Sequence, residues 1–171
     1  MNKKIKLNFH DATPSDIQRI AEIEIENHLS NFNDHPLDRL MNNLFLNEYK
    51  KRWEKKLRDG MHTLIVSVRN LSVGFITYTI SKQQAEIQNI YIISDMRRHQ
   101  LGKTLCLQAL EKMRRESVTT VSTWLVEGRN KITQFYQAMG FKMTGAIRQD
   151  AINEQYILNE RQYELRLPHE S

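Results

Sequence analysis

One βαβ crossover constrains this chain more than any other stretch of it. Residues 85–93 (Ala85-Glu86-Ile87-Gln88-Asn89-Ile90-Tyr91-Ile92-Ile93) are rich in β-branched and aromatic side chains and are bounded by polar ones, which predicts a strand. After a short polar loop, Leu101, Leu105, Ala109 and Met113 recur every four residues. Cys106 and Leu110 widen that stripe, so the segment predicts an amphipathic helix. Residues 119–126 predict the next strand. Strands joined through a helix lie parallel, whereas the short connections elsewhere demand antiparallel neighbours, so the sheet must be mixed.

The loop inside the crossover reads Arg97-Arg98-His99-Gln100-Leu101-Gly102-Lys103-Thr104. A helix start presents free backbone N–H groups and about half a positive charge. Two arginines and a lysine add full charges, and together these features suit a phosphate. A nucleotide-triphosphate loop is excluded, because Arg97 stands where that motif needs a glycine. A dinucleotide fingerprint is excluded too, because Gly102 is the only glycine present. On these residues alone, an ordinary strand-to-helix turn with a solvated basic cluster is the alternative.

The remaining elements follow from the same rules. Residues 5–9 alternate, with Ile5, Leu7 and Phe9 on one face of a first strand. Thr13, Pro14 and Asp16 open a helix through Ile17, Ile20, Ala21 and Ile25, with Glu22, Glu24 and Glu26 on its solvated side. Pro36 opens a second helix with Leu37, Met41, Phe45, Tyr49, Trp53 and Leu57 inward, and Gly60 stops it. Strands over 63–68 and 73–80 flank a turn at Arg69-Asn70, and Gly74 marks a bulge or a close backbone approach. Asn130 caps a short helix carrying Ile132, Phe135, Tyr136 and Met139, and Gly140 ends it with Phe141 packing back. Residues 142–152 and 155–167 form a closing hairpin. The order βααβββαβαββ describes one α+β domain over residues 1–171.

Composition narrows the partners. The 25 Lys and Arg outnumber the 20 Asp and Glu, a net +5 that suits a polyanionic ligand. A basic nucleic-acid-binding protein is one reading of that excess, given Lys50-Lys51-Arg52 beside Trp53, but Trp53 lies on the apolar stripe of its helix and no recognised binding motif accompanies it. A lone cysteine, Cys106, cannot form an internal disulfide and sits on an apolar stripe, where a small buried hydrophobe is expected. No apolar signal region and no run near the ~18 residues of a membrane span occurs, so a cytoplasmic protein is expected. No metal-ligand spacing is present.

Two motifs carry a family resemblance. Arg97 to Gly102 resembles the Gln/Arg-x-x-Gly-x-Gly/Ala loop of the GCN5-related N-acetyltransferases (GNAT), with Gln100 in place of the middle glycine. Asn130-Lys131-Ile132-Thr133-Gln134-Phe135-Tyr136-Gln137-Ala138-Met139-Gly140-Phe141 resembles that family's Asn-x-x-Ala-x-x-Phe-Tyr-x-x-x-Gly-Phe segment, with Thr133 for the alanine. The resemblance covers residues 63–167 and implies the acyl-CoA N-acyltransferase fold, a mixed seven-stranded sheet flanked by helices. It implies acetyl-CoA in a cleft where the two parallel strands part. The backbone of Tyr91, Ile92 and Ile93 would pair with the pantetheine arm. Arg97, Arg98, His99, Gln100, Leu101, Gly102, Lys103 and Thr104 would hold the pyrophosphate. Asn130 would contact the coenzyme and Tyr136 would face its sulfur.

The implied reaction is acetyl transfer to a primary amine by direct attack in a ternary complex. An amine must be neutral to attack, so a base helps. By resemblance Tyr136 is the general acid and Glu86 the base; Glu127 and His99 are poorer candidates. A non-catalytic acyl-CoA-binding module is the competing reading, resting on Gln100. The acceptor is open among small amines, polyamines, lysines and protein N-termini. Homodimers are common in the family, and nothing in this sequence dictates one.

Overall fold

The computed structural model describes residues 4–29, 36–153 and 156–168, with the side chains of 29, 36–44, 98–99, 151–153 and 156 left aside. The elements are β1 (Leu7–Asp11), a 3-10 turn (Pro14–Asp16), α1 (Ile17–Leu29), α2 (Pro36–Arg58), β2 (His62–Val68), β3 (Leu71–Ser81) and β4 (Gln84–Ile92). A 3-10 segment (Ser94–His99) leads to α3 (Leu101–Arg115), then β5 (Thr120–Val126), α4 (Asn130–Ala138), β6 (Lys142–Asn153) and β7 (Tyr156–Arg166). The strand order is β1-β2-β3-β4-β5-β7-β6. β4 and β5 pair in parallel, as the α3 crossover requires, and β1–β2, β2–β3, β5–β7 and β6–β7 pair antiparallel. The mixed seven-stranded sheet and the order of elements match the expectation. Backbone proximity groups the residues into two compact units, one up to Tyr78 with Asn89–Ala109, the other Thr79–Gln88 with the residues from Leu110 onward.

In the first unit, β1 starts two residues later than its alternation predicts. Pairing with β2 sets its bounds, from Leu7↔Val68 to Asp11↔Leu64, and Ile5 is exposed. Thr13 and Asp16 work as helix-start residues, the Thr13 N–H donating to Asp16 Oδ2 at 2.9 Å. They close a 3-10 turn first, and α1 begins at Ile17. The β2–β3 turn is the expected Arg69-Asn70, both at positive φ (50° and 66°), the geometry that matches strand twist in a two-residue hairpin. Gly74 combines both predicted features. The β2–β3 register shifts beside its partner Val66, and a Cβ on it would strike Ile92 Cδ1 and lie 2.6 Å from the Tyr91 carbonyl.

The core of this unit joins Ile17, Ile20, Ala21 and Ile23 of α1 to Trp53, Ile65 and Phe75. The α2 stripe differs from the prediction. Phe45 is exposed and Leu46 packs on the core in its place, while Tyr49, Trp53 and Leu57 face the core as predicted. At 3.6 residues per turn, a strict spacing of four drifts by about 40° per step, so a four-residue ladder leaves the buried face. The predicted places of Leu37 and Met41 lie outside the described side chains. Glu24 also overturns its expectation. It is buried, and the Trp53 indole N–H donates to its Oε2 at 2.7 Å.

In the second unit, β4 meets β5 from Gln84↔Thr120 to Ile87↔Thr123. β5 continues against β7 from Thr120↔Arg166 to Val126↔Glu160, and β7 returns against β6. Asn130 is the first helical residue of α4 and not its cap. Arg129 holds that place, its carbonyl accepting from the Thr133 N–H at 3.2 Å. The far end of α4 follows the prediction closely. Gly140 has φ +98°, its N–H donates to Gln137 O, and the Phe141 N–H donates to Tyr136 O, both at 3.0 Å. That pair of bonds is a Schellman stop, completed by the edge-to-face contact of Phe141 with Tyr136 at 5.1 Å. The predicted start of the last strand at Gln155 lies outside the described residues.

Candidate active site

The first unit carries the end of β4 and the loop into α3. Much of this backbone is already engaged. The Ile93 N–H donates to Val73 O at 2.9 Å, and Ile92 O accepts from Arg97 Nε at 3.1 Å. Arg97 also donates from Nη2 to Asn27 Oδ1 at 3.0 Å. Its guanidinium therefore ties the loop to β4 and α1. Glu26 of α1 holds the same bend, accepting from the Ser94 N–H at 3.2 Å and the Ser94 hydroxyl at 2.8 Å. Glu26, half-buried, is thus a loop fastener as well as a surface acid. Arg98 and His99 lie in the 3-10 segment, and their side chains fall outside the described ones.

Gln100 joins that segment to α3 in the left-handed region, at φ 55° and ψ 23°. This is the conformation that glycine takes without cost. The residue that departs from the motif thus adopts the backbone the motif's glycine supplies. Its carbonyl accepts from both the Thr104 N–H and the Thr104 hydroxyl, each at 3.2 Å. The amides of Leu101, Gly102 and Lys103 are then the first-turn donors of α3, which have no partner inside a helix. Leu101 is buried, Gly102 half-buried and Lys103 exposed. A preformed left-handed corner, the start of a helix and a lysine beside it fit an anionic diphosphate.

The second unit carries Glu86, Asn130 and Tyr136. Glu86 lies on β4 opposite Ser122 of β5, half-buried, its Oε1 accepting from Gln88 Nε2 at 2.9 Å. The β4–β5 register ends one residue on, where the Thr123 hydroxyl donates to Ile87 O at 3.1 Å. Tyr136 is 2% exposed, with Phe135 and Phe141 edge-on at 5.2 and 5.1 Å. Asn130 is exposed at the start of α4. Glu127 accepts from Arg161 Nε at 2.6 Å, which occupies it as an ion-pair partner. Burial pushes the Cys106 thiol up to about 12, so it stays protonated and unreactive, as its apolar stripe implied.

One cluster escaped the sequence reading. His28 Nδ1 lies 3.0 Å from the Tyr49 hydroxyl, and His28 Nε2 lies 3.4 Å from the Tyr91 hydroxyl. Tyr91 in turn donates to Asn89 Oδ1 at 3.2 Å. Its members stand on α1, α2 and β4, so no local spacing joins them. Among the described residues no group of three or more His, Cys, Asp or Glu is placed to hold a metal ion, and no helix is long and apolar enough to cross a membrane.

Comparison with known proteins agrees with this layout. Among solved structures, the PaiA N-acetyltransferase of Thermoplasma acidophilum in complex with coenzyme A superposes with a TM-score of 0.72 at 16% identity, covering 95% of this chain and 100% of that one. The ribosomal-protein-S18-alanine N-acetyltransferase of Escherichia coli gives 0.73 at 14% identity, covering 97% of each chain. The yncA protein of Salmonella typhimurium with acetyl-CoA gives 0.66 at 16% identity, covering 96% of each. No curated protein matches the sequence. At these identities the structures establish the fold. The family model for the Acetyltransferase (GNAT) family matches residues 17–141, a stretch that runs from the first helix to Phe141 and includes both motifs, and the chain belongs to that family.

Proposed function

We propose that this protein moves the acetyl group of acetyl-CoA to a primary amine by direct attack in a ternary complex. The observation that carries this reading is the start of α3. Gln100 is held left-handed there, and three first-turn amides stand beside Lys103. Two of the similar structures are named with coenzyme A or acetyl-CoA. In this reading the α3 amides and Lys103 take the diphosphate, and Arg97 fixes the loop from within. Arg98, His99 and Asn130 complete the coenzyme contacts, and the backbone of Tyr91 and Ile92 meets the pantetheine arm. When bound, acetyl-CoA supplies an activated carbonyl and a thiolate leaving group.

The chain's own residues then handle protons. Tyr136 Oη holds a proton for the departing sulfur, in a buried place that keeps water from competing. A Glu86 carboxylate oxygen takes a proton from the amine nitrogen, directly or through one water. One similar structure is an alanine N-acetyltransferase for a ribosomal protein, so a protein α-amino group stands among the acceptor classes with small amines and lysines. The cytoplasm, where acetyl-CoA is at hand, is the proposed location.

Calorimetry with millimolar acetyl-CoA tests the first step, and absence of heat would end the reading. Tyr136→Phe should lower kcat by about 100-fold or more, the usual worth of a positioned acid, while coenzyme affinity stays within a few-fold. Glu86→Gln should move the acid limb of the rate–pH profile, where a base becomes protonated and rate is lost. An unmoved acid limb removes Glu86 as the base.

A further inference from the structure

An amine that reaches this protein near neutral pH arrives as an ammonium ion. Its nitrogen must shed two protons before it is an amide nitrogen, one before attack and one after. In this scheme Glu86 takes the second, after attack, while Tyr136 gives its proton to the departing sulfur. We propose that Tyr49 takes the first, acting through His28, and that the acceptor is a primary ammonium ion docked against the Tyr49 hydroxyl. This rests on the acetyl-transfer reading above.

The hydrogen-bond directions carry the argument. A phenol has one proton, and Tyr91 gives its proton to Asn89 Oδ1. Toward His28 the Tyr91 oxygen therefore accepts, which places a proton on His28 Nε2. A neutral imidazole protonated there has a bare Nδ1, and that nitrogen faces the Tyr49 hydroxyl at 3.0 Å. Tyr49 is thus aimed to pass its proton to His28 as its oxygen takes one from the ammonium. The nitrogen becomes a neutral amine and keeps its electron pair, and the imidazole becomes an imidazolium. His28 is exposed and returns that proton to water.

The surroundings favour this relay. Glu24 stands one turn before His28 on α1, a buried carboxylate held by the Trp53 indole. Its charge suits both the incoming ammonium and the imidazolium. Burial first and Glu24 second push the Tyr49 phenol up, against the Arg52 guanidinium that lies 4.6 Å over its ring. A phenol so placed passes a proton on and does not linger as phenolate. Among the described residues, the charged or titrating groups that the contacts place against the relay are Glu24 on α1, Tyr49 and Arg52 on α2, and Tyr91 on β4. Tyr91 immediately precedes Ile92 on the strand assigned to the pantetheine arm, which sets the relay beside the carbonyl to be attacked. In these roles Tyr49 touches the acceptor, and His28 is a positioning residue.

Two measurements decide it. Nitrogen-15 NMR of the imidazole in the intact protein should show His28 as the Nε2–H tautomer when neutral. The Nδ1–H tautomer overturns the proposal without any substrate. Turnover is then read as free thiol with two peptides, one whose only amine is α-amino (pKa about 8) and one acetylated at its N-terminus with a single lysine (about 10.4). His28→Gln and Tyr49→Phe should each lower kcat/KM for the lysyl peptide at pH 7 by about tenfold or more. The loss should be smaller for the α-amino peptide and should narrow toward pH 10, where a growing share of the amine arrives neutral. A loss equal at every pH, or no turnover of either peptide by protein that binds acetyl-CoA, overturns the relay. Protein that binds no acetyl-CoA overturns the transfer reading itself.

Discussion

At the scale of single residues, one position where the sequence departs from its family, Gln100, also bears backbone strain. A non-glycine residue in the left-handed region costs roughly 1 kcal/mol, and Gln100 sits there at φ 55°. Glycine would remove that cost but add freedom to the unfolded chain, which offsets part of the gain. Gln100→Gly should therefore stabilise the protein by about 0.5 kcal/mol, while Gln100→Val, with its branched Cβ, should destabilise it by about 1 kcal/mol or more. Urea denaturation at equal protein concentration checks both signs. A Gly variant no more stable than the parent would mean that the bonds from Thr104 to the Gln100 carbonyl, and no strain, govern the corner. The sequence announced the anomaly by type, since a glutamine stood where a glycine was expected. Only the dihedral angle showed that the chain accepts the cost and keeps the shape.

At the scale of elements, periodicity gave the helices and strands, while their closest partnerships lay beyond it. The crossover, the Arg69-Asn70 turn, the Gly74 approach and the Gly140 stop were all legible, because each is set by neighbours in sequence or by one residue's conformational freedom. Glu24 and His28 were not legible. A helical wheel shows which face is apolar but not that an indole 29 residues away donates to an acid on it. That bond ties α1 to α2 alongside the His28–Tyr49 contact, and Trp53→Phe should cost about 2–3 kcal/mol, mostly by leaving a buried carboxylate without its donor. Adding Glu24→Gln to that variant should recover part of the loss in a double-mutant cycle read by urea denaturation. Strictly additive losses would deny the tie. The last turn of α3 offers a pH test. Hydrogen bonds from Arg114 first, then Arg115, hold the Glu111 carboxyl down to about 2. A depressed carboxyl stabilises the fold above its unfolded value, about 4.3, and that contribution fades as pH falls toward 2. Glu111→Gln should thus be less stable than the parent at pH 7, with the gap in urea midpoint narrowing below pH 4. The pair is partly open to solvent, so added salt should narrow the gap as well.

For the molecule as a whole, the proposed coenzyme is a polyanion and the chain carries +5, so charge alone predicts some affinity for many anions. Family membership predicts more, namely that one shaped ligand binds the folded state and not the unfolded one. Such binding stabilises the fold by about 2.7 kcal/mol when the free ligand stands at 100 times its dissociation constant. In a chain of this length each kcal/mol moves the melting temperature by about 2–4 °C. Acetyl-CoA at that excess should raise Tm by about 5–10 °C in thermal unfolding followed by circular dichroism. Tripolyphosphate at equal concentration separates the two causes. At 0.15 M salt, where the screening length is about 8 Å, anion attraction to exposed lysines is weak and tripolyphosphate should shift Tm little. Lys103→Glu should cut the acetyl-CoA shift at fixed coenzyme concentration, because it reverses an exposed charge in the first turn of α3 while the buried Leu101 keeps the helix start in place. Equal shifts from the two anions, or a shift untouched by Lys103→Glu, would mean that overall charge holds the coenzyme and the α3 start does not.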